Sequence, residues 1–133
     1  MNKKFFVPFE TAQLLKTKGY NESNDYVYDR GVEEGKECID IQKVDFEYQF
    51  NDTNSDIDAD IEFTSNICTA PTYHEVLDWL QGKGYPIESA CVRWYSDSDW
   101  MWICCVAYIN ATKPHFTHEE ALNAAILKAL EML

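Results

Sequence analysis

The stretch Trp-Met-Trp-Ile-Cys-Cys-Val-Ala-Tyr-Ile, residues 100–109, is apolar at every position. Successive side chains of a β-strand point to opposite faces, so a strand of these residues turns apolar side chains to both sides. Such a strand belongs between two layers that exclude water. We therefore predict that residues 100–109 form the central strand of the fold. Ile103→Asp is expected to prevent folding, because it buries an unpaired charge.

Shorter alternating segments predict the strands around this one. Residues 86–94 alternate after a proline, and a polar turn at 96–99 is expected to join them to the central strand as a hairpin. Residues 26–29 predict a short strand, and residues 38–50 a longer one interrupted by a bulge. In residues 56–63 an acidic residue alternates with an apolar one, which predicts a strand with one face in water.

Three helices are predicted from apolar periodicity with capping signals at their ends. Pro8 and Gly19 suit the start and end of the first helix. The sequences Thr72-Tyr-His-Glu75 and Thr117-His-Glu-Glu120 are capping boxes, in which the hydroxyl and the carboxylate each accept a free backbone N–H. The predicted helices span residues 9–18, 72–84 and 118–133.

These elements predict an α+β fold in one domain, residues 1–133. It has a mostly antiparallel sheet of four to five strands and three helices, in the order α-β-β-(β)-α-β-β-α. A weak internal repeat accompanies this order. Aligning Gly19 with Gly84 pairs Leu15 with Leu80 and Tyr20 with Tyr85, and each helix then leads into a predicted hairpin.

Composition limits the classes of partner. Eleven Lys and Arg residues against 23 Asp and Glu give a net charge of −12. That charge opposes direct contact with nucleic acid or an anionic membrane, because both carry the same sign. The apolar runs are too short for an export signal or a membrane span, so we expect a cytoplasmic protein whose five cysteines are reduced core thiols. We expect no cofactor and no metal.

Two groups of residues are candidate interaction surfaces. Aromatic side chains beside acidic ones are favoured at protein interfaces, although the same rings also suit packing under helices. The candidate interface residues are Trp94, Tyr95, Trp100 and Trp102. Alternating carboxylates form a second candidate surface, which lacks the glycine and glutamate positions of a calcium-binding loop. The candidate acidic face consists of Asp56, Asp58, Asp60 and Glu62.

Signals for catalysis or metal binding are weak. Cys68 is predicted to be the most accessible thiol, with a pKa lowered by the following helix N-terminus and His74 as the nearest base. His74 and Asp78 are four residues apart, a spacing more typical of a surface contact than of a catalytic base. His115 and His118 flank a predicted helix start, so they do not share a helical face as metal ligands do. Cys104 and Cys105 are adjacent on a strand and are expected to point to opposite faces.

Three segments carry a resemblance to a family. They read Phe-Val-Pro-Phe-Glu-Thr-Ala-Gln-Leu-Leu-Lys-Thr-Lys-Gly-Tyr at 6–20, Ala-Pro-Thr-Tyr-His-Glu-Val-Leu-Asp-Trp-Leu at 70–80 and Glu-Ala-Leu-Asn-Ala-Ala-Ile-Leu-Lys-Ala-Leu at 120–130. Together they resemble small uncharacterised proteins of phages and prophages of gut bacteria. The resemblance implies an accessory protein of a mobile element, and it brings no assigned catalytic residues.

The sequence thus favours a non-enzymatic protein-interaction module that forms a homodimer. The contact is expected at the aromatic hairpin or at an uncovered face of the central strand, since two apolar faces need two covers. The alternative is an acidic decoy that imitates nucleic acid and binds a host nucleic-acid-binding protein. A third hypothesis is a small enzyme that uses Cys68 or His74.

Overall fold

The chain forms an α+β structure, as predicted, in a computed structural model that describes residues 2–48, 50–60, 65–93, 100–108 and 110–133. The helices of the described residues are α1 (Phe9–Thr17), α2 (Asn54–Ala59), α3 (Tyr73–Gly82) and α4 (His118–Met132), with a short 3-10 helix at Lys3–Phe5. Their strands are β1 (Tyr26–Glu33), β2 (Lys36–Lys43), β3 (Asn66–Thr69), β4 (Ile87–Arg93), β5 (Trp100–Val106) and β6 (Asn110–Ala111).

The described strands form two antiparallel sheets of three strands, β2-β1-β3 and β4-β5-β6. The chain divides correspondingly into two compact units, Met1–Pro71 and Thr72–Leu133. Each unit opens with a helix that leads into a hairpin, as the repeat predicted. Within the described ranges, no helix combines the length and hydropathy that a bilayer-spanning helix requires.

The first unit covers its central strand, β1, from both sides at the start of the strand. Val27 and Tyr28 are adjacent and both buried, so opposite faces of β1 are covered at this point. The Phe9 ring of α1 meets the Tyr28 ring edge-on at a centroid distance of 5.2 Å. Val27 packs instead in a buried cluster with Val44 and Ile57, the latter from α2. The doubly covered arrangement predicted for residues 100–109 therefore occurs in β1.

Two predicted strands are wrong in this unit. The strand predicted over 38–50 spans Lys36–Lys43, pairs with β1 without a register shift, and is followed by a turn. Residues 54–59 form α2 where a strand over 56–63 was expected, and residues 61–64 lie outside the described part of the chain. The helix forms because the Thr53 hydroxyl accepts the Asp56 N–H at 3.1 Å, an N-cap that the alternating pattern conceals.

The second unit confirms the predicted antiparallel pairing of the hairpin and the threonine N-caps of its two helices, whereas the predicted turn at 96–99 lies outside the described residues. β4 and β5 pair antiparallel in register, and β5 lies between β4 and β6. The Thr72 and Glu75 side chains form the predicted capping box at α3, and the Thr117 hydroxyl caps α4 by accepting the Glu120 N–H. The strand predicted over 100–109 ends at Val106, and the next two residues adopt positive φ angles of 52° and 63°.

Candidate interaction surface

Helix α4 covers one face of the hairpin β4–β5. On that face Cys104 and Val106 are fully buried. The Trp102 ring stacks on the His118 ring at a centroid distance of 4.1 Å, and His118 Nε2 lies 2.9 Å from the Ser89 hydroxyl of β4. These contacts bring the first turn of α4 onto the sheet. Helix α3 packs against α4, which places both helices of this unit on the same side.

The opposite face of the same hairpin carries a continuous set of apolar side chains, which we call the open face. Met101, Ile103 and Cys105 of β5 point to this face because they alternate with the residues under α4. In the ladder Ala90 pairs with Ile103 and Val92 pairs with Met101, so the two β4 side chains share the face. Ala90 is exposed and the other four side chains are half-buried. The second cover predicted for the central strand is thus not supplied by α3 or α4.

The open face is free of charge at its centre and carries a carboxylate at one end. Glu88 pairs with Cys105 in the ladder and is exposed. The cation at the other end of β4, Arg93, belongs to the α4 side. Its guanidinium lies 5.2 Å from the centroid of the Trp100 ring, with which it pairs in the ladder. In a chain of net charge −12, an uncharged apolar strip of this length is a distinctive surface.

The predicted aromatic interface divides between two environments. Trp94 and Tyr95 lie outside the described residues. Trp100 is 58% exposed, whereas Trp102 is half-buried in its stack with His118. Trp100 and Trp102 point to the α4 side, because they alternate with Met101. The open face therefore carries none of the described tryptophans of the predicted interface.

The predicted acidic face does not have the geometry expected of it. Asp56 and Asp58 lie on α2, Asp60 is its C-cap, and Glu62 lies outside the described residues. A helix turns Asp58 away from Asp56, and two of the three described carboxylates are already paired. Asp58 forms an ion pair with Lys16, and Asp60 accepts a hydrogen bond from the Asn51 amide at 3.0 Å. The decoy hypothesis stays a prediction, without the strand on which it was built.

Cys68 and His74 do not have the properties expected of a nucleophile and its base. Cys68 lies in β3, is fully buried, and has a pKa raised to about 12 by burial. The prediction that Cys68 is accessible and has a lowered pKa is therefore wrong. His74 forms the expected surface contact with Asp78, at 3.5 Å between two exposed side chains on α3. A buried thiol of this pKa stays protonated at neutral pH and is a poor nucleophile.

The remaining cysteines occupy a range of environments. Cys104 is buried and its pKa is raised to about 11 by burial, whereas Cys105 points to the open face. The prediction that these two neighbours point to opposite faces is confirmed. Cys91 is exposed, and Cys38 and Cys105 are half-buried, so the expectation that the five cysteines are core thiols is wrong for these three. The described residues contain no cluster of three or more His, Cys, Asp or Glu arranged to hold a metal.

A polar surface pocket of about 210 Å³ lies in the first unit between α1 and α2. Its principal side chains already have partners within the fold. Lys16 binds Asp58, and Asn54 donates to the Tyr20 carbonyl at 2.7 Å while accepting the Thr69 N–H at 2.9 Å. These bonds join α2 to the neighbouring segments, which gives the pocket a structural role.

Ala90 and Val92 are the members of the open face that sequence reasoning left without a function. The pattern placed them on a strand beside the central one, but exposure of their face depends on where α4 packs. Alternation within 100–106 was the signal that identified the β5 members of both faces.

Comparison of the chain with protein-family models, with curated proteins and with solved structures finds no match.

Proposed function

We propose that this chain is a non-enzymatic protein-interaction module of phage or prophage type, which forms a homodimer through the open face. The observation that carries the proposal is the partial exposure of Met101, Ile103 and Cys105 on the side of the sheet opposite α4. Covering the apolar side chains on one side of a sheet with a second layer is favourable, because it removes them from water and lowers the free energy. A second copy supplies a matching apolar surface.

The position of Glu88 makes this surface compatible with self-association. We place the two-fold axis between the two open faces, perpendicular to the strands and level with Ala90 and Ile103. The strands of the two copies then run in opposite directions, and the Glu88 end of one copy lies over the Met101 end of the other. Glu88 is two residues from Ala90, so the two Glu88 carboxylates are at least roughly 14 Å apart at about 3.4 Å per residue. That separation exceeds the Debye length of about 8 Å at physiological ionic strength, so their repulsion is largely screened.

The size of the open face sets the expected strength of the dimer. Strands β4 and β5 are each seven residues long, and the hairpin face is about 24 Å long. With two strands that each occupy a width of about 4.8 Å, its footprint is roughly 230 Å², below the ~800 Å² per partner of a standard complex. We therefore expect a reversible dimer with a dissociation constant in the micromolar range.

The test is the mass in solution across a concentration series, measured by sedimentation equilibrium. A chain of 15.5 kDa is expected to approach twice that mass as concentration rises through the micromolar range. Ile103→Asp is expected to remain folded and monomeric, because the half-buried position leaves the carboxylate in contact with water. This replaces the expectation from sequence that the same substitution prevents folding.

Two further variants complete the experiment. Ile39→Asp makes the same change at an exposed position of β2 in the other unit, and it is expected to dimerise as the wild type does. Ala90→Lys places a charge at the centre of the open face at an exposed site, and it tests the interface if Ile103→Asp unfolds. A wild type that stays monomeric up to millimolar concentration, or an Ala90→Lys variant that dimerises normally, contradicts the proposal.

A further inference from the structure

The turn after β2 holds three large aromatic side chains in solvent. Phe46 is 46% exposed, Tyr48 is 80% exposed and Phe50 is 68% exposed. The alternation of these residues with polar ones predicted that they form one face of a strand. Strand β2 instead ends at Lys43, and the three rings are not buried in the core. A concentration of exposed rings within five positions is typical of a binding surface, since isolated apolar residues are the norm elsewhere.

The described residues beside the rings are held by the fold. Val44 and Asn51, which flank it, are buried with exposed fractions of 5% and 4%. Between them, the Asp45 carboxylate accepts the Glu47 N–H at 3.0 Å and the Asp45 carbonyl accepts the Tyr48 N–H at 3.1 Å. Phe46 and Tyr48, held in this way, lose less conformational entropy on binding than residues of a free loop do.

The charge around the rings defines the chemistry of the partner. Asp45 and Glu47 alternate with the aromatic residues, and both are exposed. The sequence contains no lysine or arginine between Lys43 and Lys83, although it contains many carboxylates there. A surface of this sign repels nucleic acid, anionic membranes and a second copy of the same segment. It complements an apolar surface bordered by lysine and arginine, as on a basic amphipathic helix.

We propose that Phe46, Tyr48 and Phe50, with the carboxylates of Asp45 and Glu47, form a docking surface for a basic amphipathic helix of a partner protein. The rings contact the apolar face of that helix, and the carboxylates pair with the cations along its edges. This surface lies in the first unit and is independent of the open face, which belongs to the second. The experiment that tests the dimer and the experiment that tests the docking surface therefore have independent outcomes.

The probe is a synthetic helical peptide with leucine on one face and lysine on the other, titrated into the full chain and followed by fluorescence anisotropy. We expect saturable binding that weakens as salt is raised. The double variant Tyr48→Ser with Phe50→Ser is expected to weaken binding about tenfold or more, as the loss of aromatic anchors does at interfaces. Phe116→Ser, which removes a ring that is also 68% exposed but lies elsewhere, is expected to bind as the wild type does.

Two control peptides separate the contributions. Replacing lysine by glutamate, or leucine by serine, is expected to abolish saturable binding. Equal binding of the serine peptide, unchanged binding by the Tyr48 and Phe50 double variant, or no binding of the leucine–lysine peptide overturns the proposal. Asp45→Asn with Glu47→Gln retains the rings and is expected to reduce the salt dependence. The monomeric Ile103→Asp variant is expected to bind the probe normally.

Discussion

The two fully buried thiols, one in each unit, predict a loss of stability at alkaline pH. Burial raises the pKa of Cys68 to about 12 and that of Cys104 to about 11, from an ordinary value of 9.0. Because the folded pKa is the higher one, the stabilising contribution is fully present below pH 9. It is lost as pH rises, since the unfolded chain releases the proton first.

The magnitude follows from these values. At pH 10 an unfolded thiol of pKa 9.0 is mostly ionised, while the folded Cys68 thiol of pKa about 12 remains protonated. The free energy of unfolding then falls by about 1.4 kcal/mol relative to pH 8, and Cys104 contributes a similar amount. The thiols are fully buried, so solvent screening does not reduce this coupling.

The assay is urea denaturation at pH 8 and pH 10 under reducing conditions, followed by circular dichroism. Cys68→Ala is expected to lower stability at both pH values but to lose about 1.4 kcal/mol less than the wild type between them. Titration of tyrosine and lysine is common to both proteins and cancels in the comparison. Cys91→Ala, which removes an exposed thiol, is expected to show the wild-type difference. Equal losses for wild type and Cys68→Ala refute the assignment of the raised pKa.

Two further predictions concern local structure in each unit, both measured by denaturation at neutral pH. Glu34 has a φ of 52° in the turn between β1 and β2. Because asparagine tolerates this conformation, Glu34→Asn is expected to raise the free energy of unfolding by about 0.5–1 kcal/mol. Glu33→Asn, within the strand, is expected not to stabilise the protein, and a higher free energy of unfolding in that variant would contradict the conformational reason. Thr72→Ala removes the hydroxyl that accepts the Glu75 N–H and is expected to cost about 1 kcal/mol, whereas Thr72→Ser, which keeps the hydroxyl, is expected to lose much less. Equal losses in the two Thr72 variants would exclude the capping bond as the cause.

Helix ends were predictable from the sequence because the signals that set them are local. The predicted alignment of Gly19 with Gly84 corresponds to matching helix ends. Both glycines have positive φ, at 94° and 89°, and the tyrosine that follows each one donates its N–H to a leucine carbonyl at 2.9 Å. Both bonds span five residues, so a short sequence pattern contains all of their parts.

The misassigned segments depend on contacts with residues distant in the chain. Asn54 is buried in α2 because its side chain binds the backbone at Tyr20 and at Thr69, and neither partner is visible from the alternation of residues 56–63. Residues 44–50 alternate as a strand does, but β2 has no further partner after its register with β1 ends at Tyr26. Pattern alone cannot distinguish a strand from a segment that has the composition of one.

The difference between the two units explains where the open face occurs. Each unit begins with a helix that ends at Lys-Gly-Tyr and continues into a hairpin. In the first unit the hairpin is followed by α2, so that Ile57 covers one side of β1 while α1 covers the other. In the second unit the hairpin is followed by β6 and α4, and α4 packs on the side that α3 already occupies. Among the described residues of this unit, neither helix covers the apolar residues on the other side of β5, and self-association supplies that cover in the proposed dimer.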